Sequence, residues 1–203
     1  MKTKLTEQES LQMIAQMIWQ AQNNFKKGAG NIIIFWGYLV AFTALLNFAL
    51  VFVLPGSQSA LVWFLMIPGC LVSYFMQRKI DRSSIVKTHI ERIVISTWIA
   101  FGIAAVILQL VFGAMYYYFD EVRHYTMMAP VSLLLIGVAQ FISGKAYRFQ
   151  PYVNGGFIFW SGAIICLLIL PKVPFHFLIL AVCMVFGYII PGRKLNKKAE
   201  KNV

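Results

Sequence analysis

Six long apolar runs separated by short polar connections make up most of this chain. The first, residues 31–54, reads NIIIFWGYLVAFTALLNFALVFVL, twenty-four residues without a charged side chain. At about 1.5 Å per residue that is roughly 36 Å of helix, enough to cross a hydrocarbon core of about 30 Å with some tilt. The pattern places further spans at residues 60–77, 93–118, 127–144, 153–170 and 175–190. Pro55-Gly56-Ser57-Gln58-Ser59 is a tight turn that makes a hairpin of the first two. Pro68-Gly69, inside the second, is expected to kink it or interrupt its hydrogen bonds, although both residue types are common in ordinary membrane helices. The third closes on Tyr116-Tyr117-Tyr118-Phe119, an aromatic girdle suited to a membrane interface. Pro171-Lys172-Val173-Pro174 turns the chain into the sixth span. Pro191-Gly192 is expected to end that span, leaving residues 193–203 as a basic tail. The expected fold class is all-α, a six-span transmembrane helix bundle over residues 31–192.

Residues 1–30 are the one substantial polar segment ahead of the spans. Thr6-Glu7-Gln8-Glu9 fits a capping box, with the Thr6 hydroxyl on the amide of Glu9 and the Glu9 carboxylate reaching back. Apolar residues then recur at Leu11, Ile14, Ile18, Ala21 and Phe25, and Lys26-Lys27-Gly28 supplies a C-terminal signal, so the segment reads as an amphipathic helix. Its polar face carries Gln12, Gln16, Gln20, Gln22, Asn23 and Asn24, uncharged where membrane-surface helices carry Lys and Arg. Three readings stand: an interfacial helix under the bundle, a docking element for a partner protein or second copy through residues 5–27, or a poorly ordered segment. A second capping box, Thr88-His89-Ile90-Glu91, opens the third span.

Composition agrees with the pattern. Of 203 residues, 60% are hydrophobic and 12% charged, far from the balance of soluble domains, and the mean hydropathy is +0.71. The net charge of +11 would suit a nucleic-acid binder, but the charges sit at span ends, where they fix topology and meet anionic headgroups. With six spans, sixteen of the eighteen Lys and Arg fall on the side of the two termini, and only Arg123 and Lys172 on the other. The expected location is the cytoplasmic (inner) membrane, multi-pass, with both termini cytoplasmic. Cys70, Cys166 and Cys183 all lie in apolar runs without CxxC spacing, and they read as small core residues. No cleavable signal peptide is expected, because the first apolar run begins late and is too long.

Candidate chemistry is sparse. No Asp, Glu, Lys, Arg or His lies deep in any expected span, which lowers proton-coupled transport and intramembrane carboxylate or metal chemistry. Ser143-Gly144 and Ser161-Gly162 lack the preceding glycine of a GxSG motif. The deep polar residues are Asn47, Gln109 and Gln140, which either hydrogen-bond between helices or line a small polar cavity. Ala100 with Ala104, and Gly137 with Gly144, are small-residue pairs suited to close helix packing. Asp120, Glu121, His124 and His176 cluster on the outer side, where metal binding or pH sensing competes with an ordinary solvated loop. Arg78, Lys79, Arg82, Lys87, Arg92, Arg193 and Lys194 on the inner side are candidate contacts for anionic lipid or an acidic partner. Trp36, Trp98 and Trp160 recur every 62 residues, and Ile67-Pro68-Gly69 recurs as Ile190-Pro191-Gly192, which either marks three repeated hairpins or an aromatic belt.

In layout, and in Asn24-Phe25-Lys26-Lys27-Gly28 leading into Trp36-Gly37-Tyr38, the chain resembles small uncharacterised six-span bacterial membrane proteins with an amphipathic N-terminal helix. The resemblance implies no catalytic or binding residue and no cofactor. The residues point to a non-enzymatic membrane component, a scaffold, regulator or sensor partner. The alternative is a small permease or channel for a neutral or apolar solute, with Asn47, Gln109, Gln140 and Pro68 around its path. A membrane-embedded enzyme, its groups near Asp120 and His124, comes third.

Overall fold

Apolar runs of this length hold their backbone polar groups together only as helices, and helices are what form. The computed structural model describes Gln8 and residues 10–13, 28–54, 56–82, 89–119, 127–169 and 172–201. Every regular element among them is helical, and six segments are long and apolar enough to cross a membrane. Of the N-terminal segment, Gln8 and residues 10–13 are helical, with Leu11 and Met13 exposed. The Thr6–Glu9 capping pair and the apolar stripe from Ile14 to Phe25 lie outside the described residues, as does Thr88 of the second capping box.

Helix α1 spans Ala29–Leu50 and follows Gly28, whose φ of 84° suits a residue without Cβ. It stops four residues before the expected end; Val51 to Val53 form turns and Leu54 a bend. After one helical turn at Gly56–Ser59 the chain runs through a 3₁₀ segment, Ala60–Leu65, into α2, Met66–Arg82. Pro68 has no N–H for the carbonyl of Phe64, and the tightened segment lies just before it. Helix α3 is unbroken over His89–Phe119. Helices α4, Met128–Ala146, and α5, Gln150–Leu168, form a tight hairpin. Helix α5 starts three residues earlier than expected because Pro151 fits its first turn.

The sixth span departs most from expectation. Helix α6, Val173–Met184, passes through a π-helical turn at Val185–Ile189 straight into α7, Ile190–Lys201. Pro191-Gly192 therefore does not end the span, and the expected tail is helix. A proline inside a helix leaves a carbonyl one turn back without its donor, and its ring crowds that carbonyl. In α-helical register this carbonyl is Gly187's, and it accepts a hydrogen bond from Gln140 Nε2 of α4 at 3.2 Å. The widened turn, in which Ile190 N–H reaches back five residues to Val185 O, makes room for the ring. The helix beyond the proline is then held by packing: Leu195 and Ala199 are buried against Phe149, Tyr152 and Ile33.

The core is built by α1, α4, α5 and α6, through Ala44, Leu133, Phe159, Ala163, Leu180 and Met184. Only 6% of the spanning window of the Ala60–Ile80 segment and of α3 is buried, against 44% for each of the last three spans, so these two helices sit at the periphery. Gly69 brings α2 against Leu39, and Trp98 brings α3 edge-on to Tyr188 at 5.9 Å. The start of α1, the α4–α5 turn and α7 meet at one end of the bundle, called here the terminal end.

Candidate functional site

Three amides and one basic surface are the candidate positions, and they occupy separate places. Asn47 is buried in the last turn of α1. Its side-chain oxygen accepts from Trp63 Nε1 at 2.8 Å and its nitrogen donates to Ser59 O and Oγ, both at 3.2 Å, an amide orientation fixed by these partners. It thus ties α1 to the connector that follows. His176, also buried, stands in the first turn of α6 between Phe175, which packs on Phe48, and Phe177, which packs on Trp63. Asp120, Glu121 and His124 lie outside the described residues.

Gln140, fully buried, sits where α4, α5 and the π-helical turn converge. A Cβ on Gly155 would stand 2.6 Å from Gly187 O and one on Gly144 2.5 Å from Val153 N, so both positions require glycine for the close approach. Gly137 is likewise filled, by the Trp160 indole, whose Nε1 donates to Leu134 O at 3.3 Å. Gln140 Oε1 and the Tyr152 hydroxyl are buried without hydrogen-bond partners among the described residues. The hydroxyls of Thr43 and Ser143 bond back to the carbonyls of Leu39 and Ala139 on their own helices. Gln109 differs from both other amides: it is exposed on the outer flank of α3. The three do not converge.

The Gly137–Gly144 pair is a packing element as its spacing suggests, but Ala100 is exposed and Ala104 only half-buried. The three tryptophans have unlike surroundings. Trp160 lies in the middle of α5, about 15 Å from its start, rather than in an interfacial belt.

At the terminal end, α7 folds back on the bundle. Asn196 Oδ1 accepts from Gly30 N–H at 3.0 Å, capping the otherwise unsatisfied start of α1, and Asn196 Nδ2 donates to Asn31 Oδ1 at 2.6 Å. Arg193 donates to the Tyr38 hydroxyl. Lys198 Nζ lies 5.8 Å from the centre of the Phe149 ring. The opposite face of α7 presents Arg193, Lys194 and Lys197. Arg78 and Lys79 near the end of α2, Arg92 at the start of α3, and Lys145 and Arg148 around the α4–α5 turn are exposed too. The side chain of Arg82 and all of Lys87 lie outside the described residues. Tyr147 in that turn has its phenol pushed up to about 12, by burial and then by the nearby Glu91 carboxylate. A cavity of about 280 Å³ opens between Gly28, Asn31, Asn196 and Glu200. Among the described residues, no group of three His, Cys, Asp or Glu stands together as metal ligands do.

Comparison with protein-family models, with curated proteins and with solved structures finds no match to this chain. The site is therefore read from its own chemistry. Its distinctive part is a basic ledge, fixed to the bundle by Leu195, Asn196 and Ala199 and turned outward through its cations. Asn196 was not among the sequence candidates. A faint signal existed in the spacing of Pro191, Gly192, Leu195 and Ala199, which share one helical face once the helix is known to continue.

Proposed function

We propose that this protein is a non-catalytic component of the cytoplasmic (inner) membrane, a scaffold, regulator or sensor partner with both termini in the cytoplasm. The ledge formed by α7 carries this reading. Cations that only set topology need no folded support, whereas here the twelve residues that follow the π-helical turn are helical, and Leu195 and Ala199 pack against the bundle. Rigidly held cations at a membrane boundary gather anionic headgroups, each contributing about 1 kcal/mol near the surface. In this reading Arg78, Lys79, Arg92, Arg193 and Lys194 hold the terminal end against the anionic leaflet, and residues 5–27 are offered to a protein partner or second copy. The excess of Lys and Arg at that end supports the orientation. A permease would need Asn47, Gln109 and Gln140 around one path, and their separation favours the scaffold.

Two measurements test the proposal. In-cell crosslinking of the full chain and of a variant lacking residues 1–27 is expected to give different partner lists with the bundle still folded; an unchanged list refutes the partner role. Single cysteines replacing Lys194 and Lys172 are expected to react with impermeant maleimide only in inverted vesicles and only in right-side-out cells, respectively. The reverse pattern refutes the orientation.

A further inference from the structure

An exposed apolar face on a spanning helix is covered by lipid, and needs no other occupant. Gln109 is different. Its nearest charged neighbours in the sequence are Arg92 and Asp120, so the middle of the apolar stretch is residue 106, and along the helix Gln109 lies about 4.5 Å from it. It is exposed there, between Val106 and Leu110, which are 61% and 68% exposed, and has no hydrogen-bond partner among the described residues. Lipid tails offer an amide nothing to bond, so an unpartnered one at this depth is costly.

Two glycines share its strip. At 100° per residue, Gly102, Val106, Gln109 and Gly113 fall within about 60° of one another, spaced four, three and four as in a helix–helix seam. A Cβ on Gly102 or Gly113 would meet nothing within 4 Å, whereas Gly144 and Gly155 are demanded by close contacts inside the chain. Glycine in mid-helix weakens the helix, and no contact among the described residues gives a return for it. A second helix lying close along the strip does.

We propose that α3 pairs two copies of this chain about a two-fold axis along the membrane normal. The axis passes beside Gln109, and Gly102 and Gly113 admit the second helix. A primary amide both donates and accepts, so Gln109 is its own complement, and two-fold symmetry brings the second Gln109 to the same depth. A partner of different sequence would need a matching amide at that level by coincidence; a second copy supplies it by construction. This surface is on α3 and the basic ledge is on α7, and the pairing does not rest on the scaffold reading.

The test uses the full chain with Cys70→Ser, which leaves the buried Cys166 and Cys183, reconstituted in nanodiscs and in native membranes. Val106→Cys on the strip is compared with Val111→Cys, exposed but about 140° around the helix. Oxidative crosslinking is expected at position 106 at least about tenfold faster than at 111. Gln109→Leu is expected to lower the association constant roughly 3- to 20-fold, the range of an interhelical hydrogen bond in membranes. Gly102→Leu, the second variant, is expected to abolish the crosslink at 106 while tryptophan fluorescence reports a folded bundle. Equal rates at 106 and 111, a dimer indifferent to both variants, crosslinks confined to residues 5–27, or a monomer in lipid each overturn the proposal.

Discussion

Replacing Gln140 by Leu isolates what lets the last span run through a proline. The side chain is nearly isosteric, so little cavity is created; what is lost is the Nε2 bond to Gly187 O. A buried carbonyl deprived of its donor costs about 1–3 kcal/mol in water-soluble proteins, while interhelical hydrogen bonds in membranes average about 0.6 and reach about 1.7 kcal/mol. Gln140 Oε1 is itself buried without a partner, and its removal offsets part of the loss. The expected net cost of Gln140→Leu is about 1 kcal/mol. Pro191→Ala supplies the backbone N–H that the α register assigns to Gly187. In that background, Gln140→Leu is expected to cost nothing or to stabilise. The double-mutant cycle should therefore show a coupling of about 1 kcal/mol, roughly fivefold in the unfolding constant. Reversible SDS titration in mixed lipid–detergent micelles, followed by tryptophan fluorescence, measures all four variants. Additivity within about 0.3 kcal/mol refutes the reasoning, for it would mean that the amide and the proline do not share a carbonyl.

If α7 is docked helix, Leu195→Ala should cost about 2–4 kcal/mol by the same titration and Asn196→Ala about 1 kcal/mol, with Lys194→Ala within about 0.5 kcal/mol. No effect from either of the first two would show that α7 is not docked on the bundle. The raised Tyr147 phenol implies that the folded state holds its proton more tightly than the unfolded chain, whose value is near 10. That contribution to stability is complete below about pH 10 and is lost as pH rises towards about 12. Tyr147→Phe should flatten this window in unfolding midpoints, and an unchanged slope would show that other groups set it.

The six spans are legible because hydrocarbon imposes one requirement on every residue within it, and long apolar runs meet it without reference to tertiary structure. Span ends carry local proline signals at Pro55 and Pro151, yet the expected bounds miss by several residues: α1 ends at Leu50 rather than Leu54, and α5 starts at Gln150 rather than Val153. Pro191-Gly192 carries the same local signal and means the opposite. What overrides it is Gln140, 47 residues before Gly187, and the burial of Leu195 and Ala199 against Phe149 and Tyr152. Near Pro191 in sequence, the shared face of Leu195 and Ala199 hints faintly at the second, and nothing announces the first. Gly137 and Gly144 could be paired by spacing, yet what fills the space at each, Trp160 and Val153, is settled only by how α5 leans on α4. Asn47 looked deep because the first run looked longer than its helix. With α1 ending at Leu50, that amide belongs to a turn.

Three amides, the buried Asn47 and Gln140 and the half-buried Asn196, share a task. Asn47 serves the carbonyl of Ser59 where the chain enters a 3₁₀ segment. Gln140 serves the carbonyl of Gly187 ahead of Pro191, and Asn196 serves the N–H of Gly30 at the start of α1. Each closes a break in the backbone ladder that hydrocarbon would otherwise leave open, and each is thereby committed to holding two segments together. Gln109 stands in an unbroken helix, where every nearby backbone group has its partner four residues away. It has no break to close among the described residues. An amide retained at mid-membrane without an internal task is accounted for by an external one, and the open strip from Gly102 to Gly113 is the place where a second α3 would meet it.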